Sequence, residues 1–180
     1  VLRRLQDVRA ANRALDQEKS HLQTQIEPDL DTQNTDKTSK FSTIRLFFSE
    51  IVEEVIDRKA LLSVGPNNEG HLEFKVEILD DSGNSTRAGG GCSYRKLLCL
   101  AFDLAVTRAH LDARYPRFVF HDGIFESLDD RKKENLMDVL RSYAGHGVQH
   151  VITMIDSDIP TAKDGVISFL NRSEVALVLH

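Results

Sequence analysis

The sequence predicts an α/β fold, a mostly parallel sheet with flanking helices, preceded by a coiled-coil helix. After residue 92, short apolar runs alternate with longer helical stretches in the order helix, strand, helix, strand, helix, strand, which is the pattern of a parallel sheet. At the other end Val1, Leu5, Val8, Asn12, Leu15, Lys19, Leu22 and Ile26 step by 4, 3, 4, 3, 4, 3 and 4 residues. Six of those eight are apolar, which is the seam of a coiled coil. Finally, 41% of the 180 residues are apolar, enough to bury a core and to exclude full disorder.

The elements follow in order. Residues 1–27 read as the coiled-coil arm, with Asn12 and Lys19 as polar seam positions of the kind that set register. Pro28 is expected to end that helix, and the polar, turn-rich stretch 28–40 to be a linker. Phe41, Ile44, Phe48, Ile51, Val55 and Ile56 recur at helical spacing, with Ser39 or Ser42 placed to cap the helix. Two strands are expected at 61–64 and 72–79; in the second, Leu72, Phe74, Val76 and Ile78 alternate with Glu73, Lys75 and Glu77. Residues 80–91 form a glycine-rich loop opening into a helix that runs from about Ser93 to Arg114, punctuated by Pro116. Phe118–Phe120 is expected as a buried strand ending at His121 and Asp122, then a helix over 130–144 closed by Gly145 and Gly147. A strand at 148–154, a helix at 161–171 and a last strand at 175–180 complete the chain, so that 41–180 forms one unit.

Composition narrows the function. The formal charge is −5, from 23 basic and 28 acidic residues, so bulk attraction to nucleic acid is excluded and any such contact needs a local patch. The longest clean apolar run, Leu97–Phe102, is too short to span a bilayer, and no signal-like segment opens the chain. Cys92 and Cys99 on one helix would lie about 10 Å apart, too far for a disulfide. Free thiols point to a cytoplasmic setting. Position 1 is Val rather than Met, which suggests a piece of a longer protein.

Chemistry concentrates in residues 88–130. The loop Gly89-Gly90-Gly91-Cys92-Ser93 runs straight into a helix. Glycine lets backbone N–H groups approach an anion, and a helix N-terminus carries partial positive charge, an arrangement suited to phosphate. Asp122 ends an apolar strand, and ligands of parallel sheets collect at such ends. An Asp there can hold a metal-bound water beside a nucleotide. Asp129 and Asp130 open the next helix, where N-capping is the simple reading.

Taken in order, these segments resemble the C-terminal lobe of an ABC-type ATPase head of the SMC/RecN/RecF group, and most closely the YydD-like SMC-related proteins. GGGCSYRKLLCLAFDLA stands where that family has its signature loop and helix; FVFHDGIFESLDD stands where Walker B and the D-loop belong, with Asp122 to Asp129 spaced as in DEPxxxLD. The resemblance implies ATP and Mg²⁺ as cofactors. It implies Asp122 at the metal, and Gly89, Gly90, Gly91, Cys92, Ser93 and Arg95 on the ATP of the opposite protomer. Asp129 would lie at the dimer seam. Implied partners are an N-terminal head lobe of the same protein, a second copy through ATP-sandwiched heads, and small accessory proteins. DNA, with a role in repair or phage defence, follows from the resemblance alone, since residues 1–27 carry five basic and four acidic residues.

Three departures stand out. The residue after Asp122, a glutamate in the family, is Gly123, which cannot act as a base. Glu126 can take that catalytic role only if the loop folds back. Met154 stands where a switch histidine is expected, and no GxxxxGK[ST] occurs; the resemblance implies a P-loop in an N-terminal lobe beyond the coiled coil. Two other readings compete with an ATPase part: a nucleotide-dependent interaction module that does not hydrolyse ATP, and a two-metal nuclease built on Asp122, Glu126, Asp129, Asp156 and Asp158. His121 should point to the face opposite Asp122 and be packed; His146 and His150 are expected as surface or core residues.

Overall fold

The computed structural model of the chain describes residues 2–67, 69–80, 82–86, 92–160 and 169–178. Helix α1 spans Leu2–Thr35 and α2 spans Lys40–Ile56; strands β1, β2 and β3 span Ala60–Pro66, Leu72–Leu79 and Ser85–Thr86. Helix α3 spans Cys92–Ala109, β4 Phe118–Asp122, α4 Asp130–Gly145 and β5 Gln149–Thr153, followed by a 3-10 turn at Asp156–Asp158. One sheet has the order β1-β2-β3, with β2 and β3 antiparallel; the other is the parallel pair β4-β5. The chain divides into two compact units, one of residues up to Ser42 with Ser63–Lys75, the other of Thr43–Leu62 with the chain from Val76 onward.

In the first unit, α1 does not stop at Pro28 as expected but continues to Thr35. Proline removes one N–H, the partner of the Thr24 carbonyl, and both residues are exposed, so water can satisfy the freed group. Thr32 Oγ1 donates to the Pro28 carbonyl (2.8 Å) and Thr35 Oγ1 to the Asp31 carbonyl (2.8 Å). The expected linker is therefore helical over most of its length, and only Asp36–Ser39 lies outside a helix. Val8, Leu15, Leu22 and Ile26 of the seam are all exposed. The amide of Asn34 acts as a strand partner, donating to the Val64 carbonyl (2.9 Å) and accepting from the Val64 N–H (3.0 Å). The rings of Phe41 and Phe74 meet at 6.1 Å.

The core of the second unit comes from Phe48, Ile51, Val52 and Val55 of α2, Leu97, Ala101, Leu104 and Ala105 of α3, and Leu136, Val139 and Leu140 of α4. These positions repeat at helical spacing, so each helix buries one stripe. Arg108 ties the three together: its guanidinium lies 4.2 Å from the Phe47 ring centroid and 5.5 Å from that of Tyr143, and pairs with Glu50 at 3.5 Å. Asn135 Nδ2 donates to the Val55 carbonyl (3.3 Å), one of the orphan carbonyls at the end of α2.

Several boundaries differ from the sequence reading. Helix α3 ends at Ala109, five residues early, and turns carry the chain through His110–Arg114. The alternation of β2 buries only its far end: Leu72 and Phe74 are exposed, whereas Ile78 is buried. The loop at 80–91 contains β3. Most of the helix expected at 161–171 lies outside the described residues, and 169–171 are not helical. Residues 175–178 form no strand, because among the described residues no sheet edge supplies a hydrogen-bonding ladder to them.

Candidate functional site

The site is built on the parallel pair. The register sets Phe118 opposite Gln149 and Asp122 opposite Thr153, so both strands end level. Their carboxyl end presents Asp122, exposed, with Thr153 Oγ1 donating to Asp122 Oδ1 (2.5 Å). Alternation sends Phe118, Phe120, Asp122, Val151 and Thr153 to one face and Val119, His121, His150 and Ile152 to the other. The strand expected to be buried is buried on one side only: Phe118, Phe120 and Val151 are 54%, 56% and 39% exposed. His121 points away from Asp122 as expected and is buried at 4% exposure. Its Nε2 lies 3.2 Å from His150 Nδ1, with the rings stacked at 5.3 Å. Burial, then the neighbouring His150, hold the His121 imidazole down to about 4, and burial lowers His150 too.

The chain leaves β4 through a tight turn. Gly123 takes φ +58, a left-handed conformation open to glycine, and its carbonyl accepts the Glu126 N–H (3.3 Å). Phe125, fully buried, packs edge-on against Phe169 at 5.4 Å, and Leu128 is buried as well. With both anchored inward, Glu126 and Ser127 are left outward, Ser127 also at positive φ (+61). The loop thus folds back as Glu126 required. A Cβ built on Gly123 would meet Glu126 Oε1 at 2.6 Å, so the Glu126 carboxylate fills the space of a residue-123 side chain.

Lys96, on the second turn of α3, reaches this carboxylate and forms an ion pair with Glu126. That hydrogen bond, followed by the charges of Glu126, Asp122 and Asp158, holds the Lys96 ammonium above the usual lysine range. In the sequence Arg95, not Lys96, stands where the resemblance implies a phosphate contact. Both follow the glycine loop, but one residue is about 100° of helical rotation, and only the fold shows which one faces Glu126. Arg95 is exposed.

Asp129 caps α4: its Oδ1 accepts the Lys132 N–H (3.0 Å) and its Oδ2 pairs with Lys132 Nζ (2.5 Å). Those two contacts, the side-chain one first, lower its carboxyl below the usual range. Gly89, Gly90 and Gly91 lie outside the described residues, as do the side chains of Cys92 and Ser93, although both of these belong to α3. Cys99 is free and exposed. Met154 follows β5 directly and is half-buried.

Among the described residues no three His, Cys, Asp or Glu side chains form a group that could hold a metal ion. The exposed Asp122 carboxylate beside a hydroxyl is of a kind that fits Mg²⁺, which keeps several waters and binds by one or two carboxylates plus substrate phosphates. No described helix is long and apolar enough to cross a membrane.

Comparison with known proteins agrees with this architecture. The structure is similar to an SMC head bound to the C-winged helix domain of ScpA, with 23% identity and a TM-score of 0.50 over 64% of this chain and 35% of that one. It is also similar to an SMC ATPase solved in a study of ATP-driven dimerisation and DNA-stimulated activation, with 20% identity and a TM-score of 0.50 over 70% of this chain and 81% of that one. A Pyrococcus furiosus SMC head with an extended coiled coil, bound to the C-terminal domain of ScpA, gives 21% identity and a TM-score of 0.50 over 86% of this chain and 38% of that one. The chain thus spans 35% and 38% of the first and third. No curated protein matches it in sequence. These likenesses establish an SMC-head type of α/β fold. The model of the DUF2326 family, described as uncharacterised proteins conserved in bacteria, matches residues 51–180, and the chain belongs to that family.

Proposed function

We propose that this chain supplies the C-terminal lobe of an SMC-like ATPase head, with a coiled-coil stump at 1–27, and completes a composite ATP site with an N-terminal lobe and a second head. The observation that supports it most is the parallel pair β4-β5, carrying Asp122 at its carboxyl end and an uncovered apolar face of Phe118, Phe120 and Val151 beside it. That face suits an N-terminal lobe, and the strand end suits a nucleotide.

In this reading Asp122, steadied by the Thr153 hydroxyl, would hold Mg²⁺, which would offset the charge of the phosphates. Residues 89–93 and Arg95 contact the phosphates of ATP on the opposite protomer, and Asp129 lies at the seam between heads. Glu126, in place of a side chain on residue 123, takes the proton of the attacking water as the bond from the γ-phosphorus to the ADP oxygen breaks. Likeness to SMC heads also suggests small accessory proteins and DNA as partners. A general base contributes about 10²–10⁴ in rate, so Glu126→Gln in the intact protein should lower ATP turnover at least a hundredfold, roughly, and accumulate an ATP-bound dimer by light scattering. Turnover unchanged in that variant removes Glu126 from the reaction.

A second reading, a nucleotide-dependent dimerisation module without hydrolysis, is favoured by Gly123 and Met154 at the positions where a base and a switch histidine are expected. ATP-dependent dimerisation of the wild-type protein without release of phosphate would establish it.

A further inference from the structure

The Glu126 carboxylate stands over Gly123 by virtue of two contacts, and they differ in kind. The turn 123–126 and the buried Phe125 bring its backbone to the place. They do not fix the side chain, which has three rotatable bonds and is half exposed. The one charged partner that Glu126 has among the described residues is Lys96, reaching across from α3. The charges of Asp122 and Asp158 also favour the charged form of Lys96, after that of Glu126. Asp158 is buried in the turn that follows β5, and Asp122 ends β4.

We infer that Lys96 is a positioning residue: it holds the Glu126 carboxylate in the space that glycine leaves open at position 123. The inference rests on the proposed role of Glu126 and adds to it the element that makes a base displaced by three residues serviceable. A carboxylate carried on a longer and freer path needs an anchor that one attached directly after Asp122 does not, because a displacement of about 1 Å at a reacting group already costs about 10² in rate. An ammonium suits this task. It donates along one of its three N–H bonds and leaves the other carboxylate oxygen free to accept a proton. The pair is half exposed on both sides and adds little to stability, so removing it should leave the protein folded.

The test uses the intact protein with Lys96→Met, Lys96→Arg, Glu126→Gln and the double variant Lys96→Met/Glu126→Gln. Lys96→Met should lower kcat for ATP by roughly tenfold or more with KM changed less than about twofold, and Lys96→Arg should restore most of the loss. On the Glu126→Gln background Lys96→Met should have no further effect, since there is no base left to place. Independently of turnover, the ¹³C resonance of the Glu126 side-chain carboxylate in the nucleotide-free protein should move on Lys96→Met. A loss of turnover in Glu126→Gln together with wild-type kcat in Lys96→Met overturns the inference and leaves the role of Glu126 standing. An additive double variant, or a carboxylate resonance unmoved by Lys96→Met, overturns it as well. Unchanged turnover in Glu126→Gln, or none in the wild type, overturns both.

Discussion

His121 and His150 sit back to back beneath the strand that carries Asp122, and one proton too many would separate them. His121 is buried and held down to about 4, so it stays neutral in the folded protein, whereas in the unfolded chain it titrates near 6.5. The unfolded state therefore takes up the proton first as pH falls. Stability is fully present above about pH 6.5, declines between there and about 4, and levels below. The decline amounts to about 1.4 kcal/mol per pH unit for one such group, and His150, also lowered by burial, adds in the same direction. Urea unfolding at pH 7.5, 6 and 5 checks this: wild type should lose stability over that range, and His121→Gln should lose distinctly less. Equal slopes in the two proteins would show that His121 does not stay neutral in the fold.

At the scale of elements, the loop between β4 and α4 is pinned at both ends. Phe125 enters the core and meets Phe169, while Asp129 caps the helix that follows. Phe125→Ala should cost about 3–5 kcal/mol, as truncation of a fully buried Phe does, and Asp129→Ala about 1 kcal/mol, the usual worth of a cap. Calorimetric unfolding of the two variants compares them; a Phe125→Ala cost near that of Asp129→Ala would mean the loop is not anchored by its ring. Near the end of the chain, Arg141 forks onto Glu174 (2.8 and 2.9 Å) and also donates to the Phe169 carbonyl (2.8 Å), so α4 holds the segment 169–174. The Arg141 pairing, foremost, keeps the Glu174 carboxyl down to about 2. Helices and strands from α2 to β5, apart from the two-residue β3, were legible because their apolar spacings are regular. Pro28 misled because a proline costs an exposed helix only one bond that water can replace. Val175–Val178 misled because these residues are strand-like but have no neighbouring ladder among the described residues. The site was half legible: Asp122 and Asp129 are marked by a strand end and a cap, whereas Lys96 becomes visible only when α3 is placed against the loop.

On the scale of the whole molecule, the uncovered side of β4-β5 is the main unsettled surface, because Phe118, Phe120 and Val151 line up on one face. In the intact protein a covering lobe would bury them, and Phe120→Ser should then cost about 2–4 kcal/mol, the order of a truncated buried aromatic. If the face stays wet the same change should leave stability within about 0.5 kcal/mol. Thermal unfolding of the intact variant decides between these outcomes. The −5 charge is spread over many side chains and names no ligand, so partners were out of reach of composition.

The shared volume beside Gly123 has a consequence for how such chains diverge. One side chain, reaching back from residue 126, occupies the space that the other position leaves empty, so a Cβ at 123 would displace the Glu126 carboxylate. Substitutions at these sites should therefore be accepted in compensating pairs, so that lineages carrying a side chain at 123 also carry something shorter than glutamate at 126. An acid can migrate along the sequence in this way while its carboxylate remains nearly stationary in space.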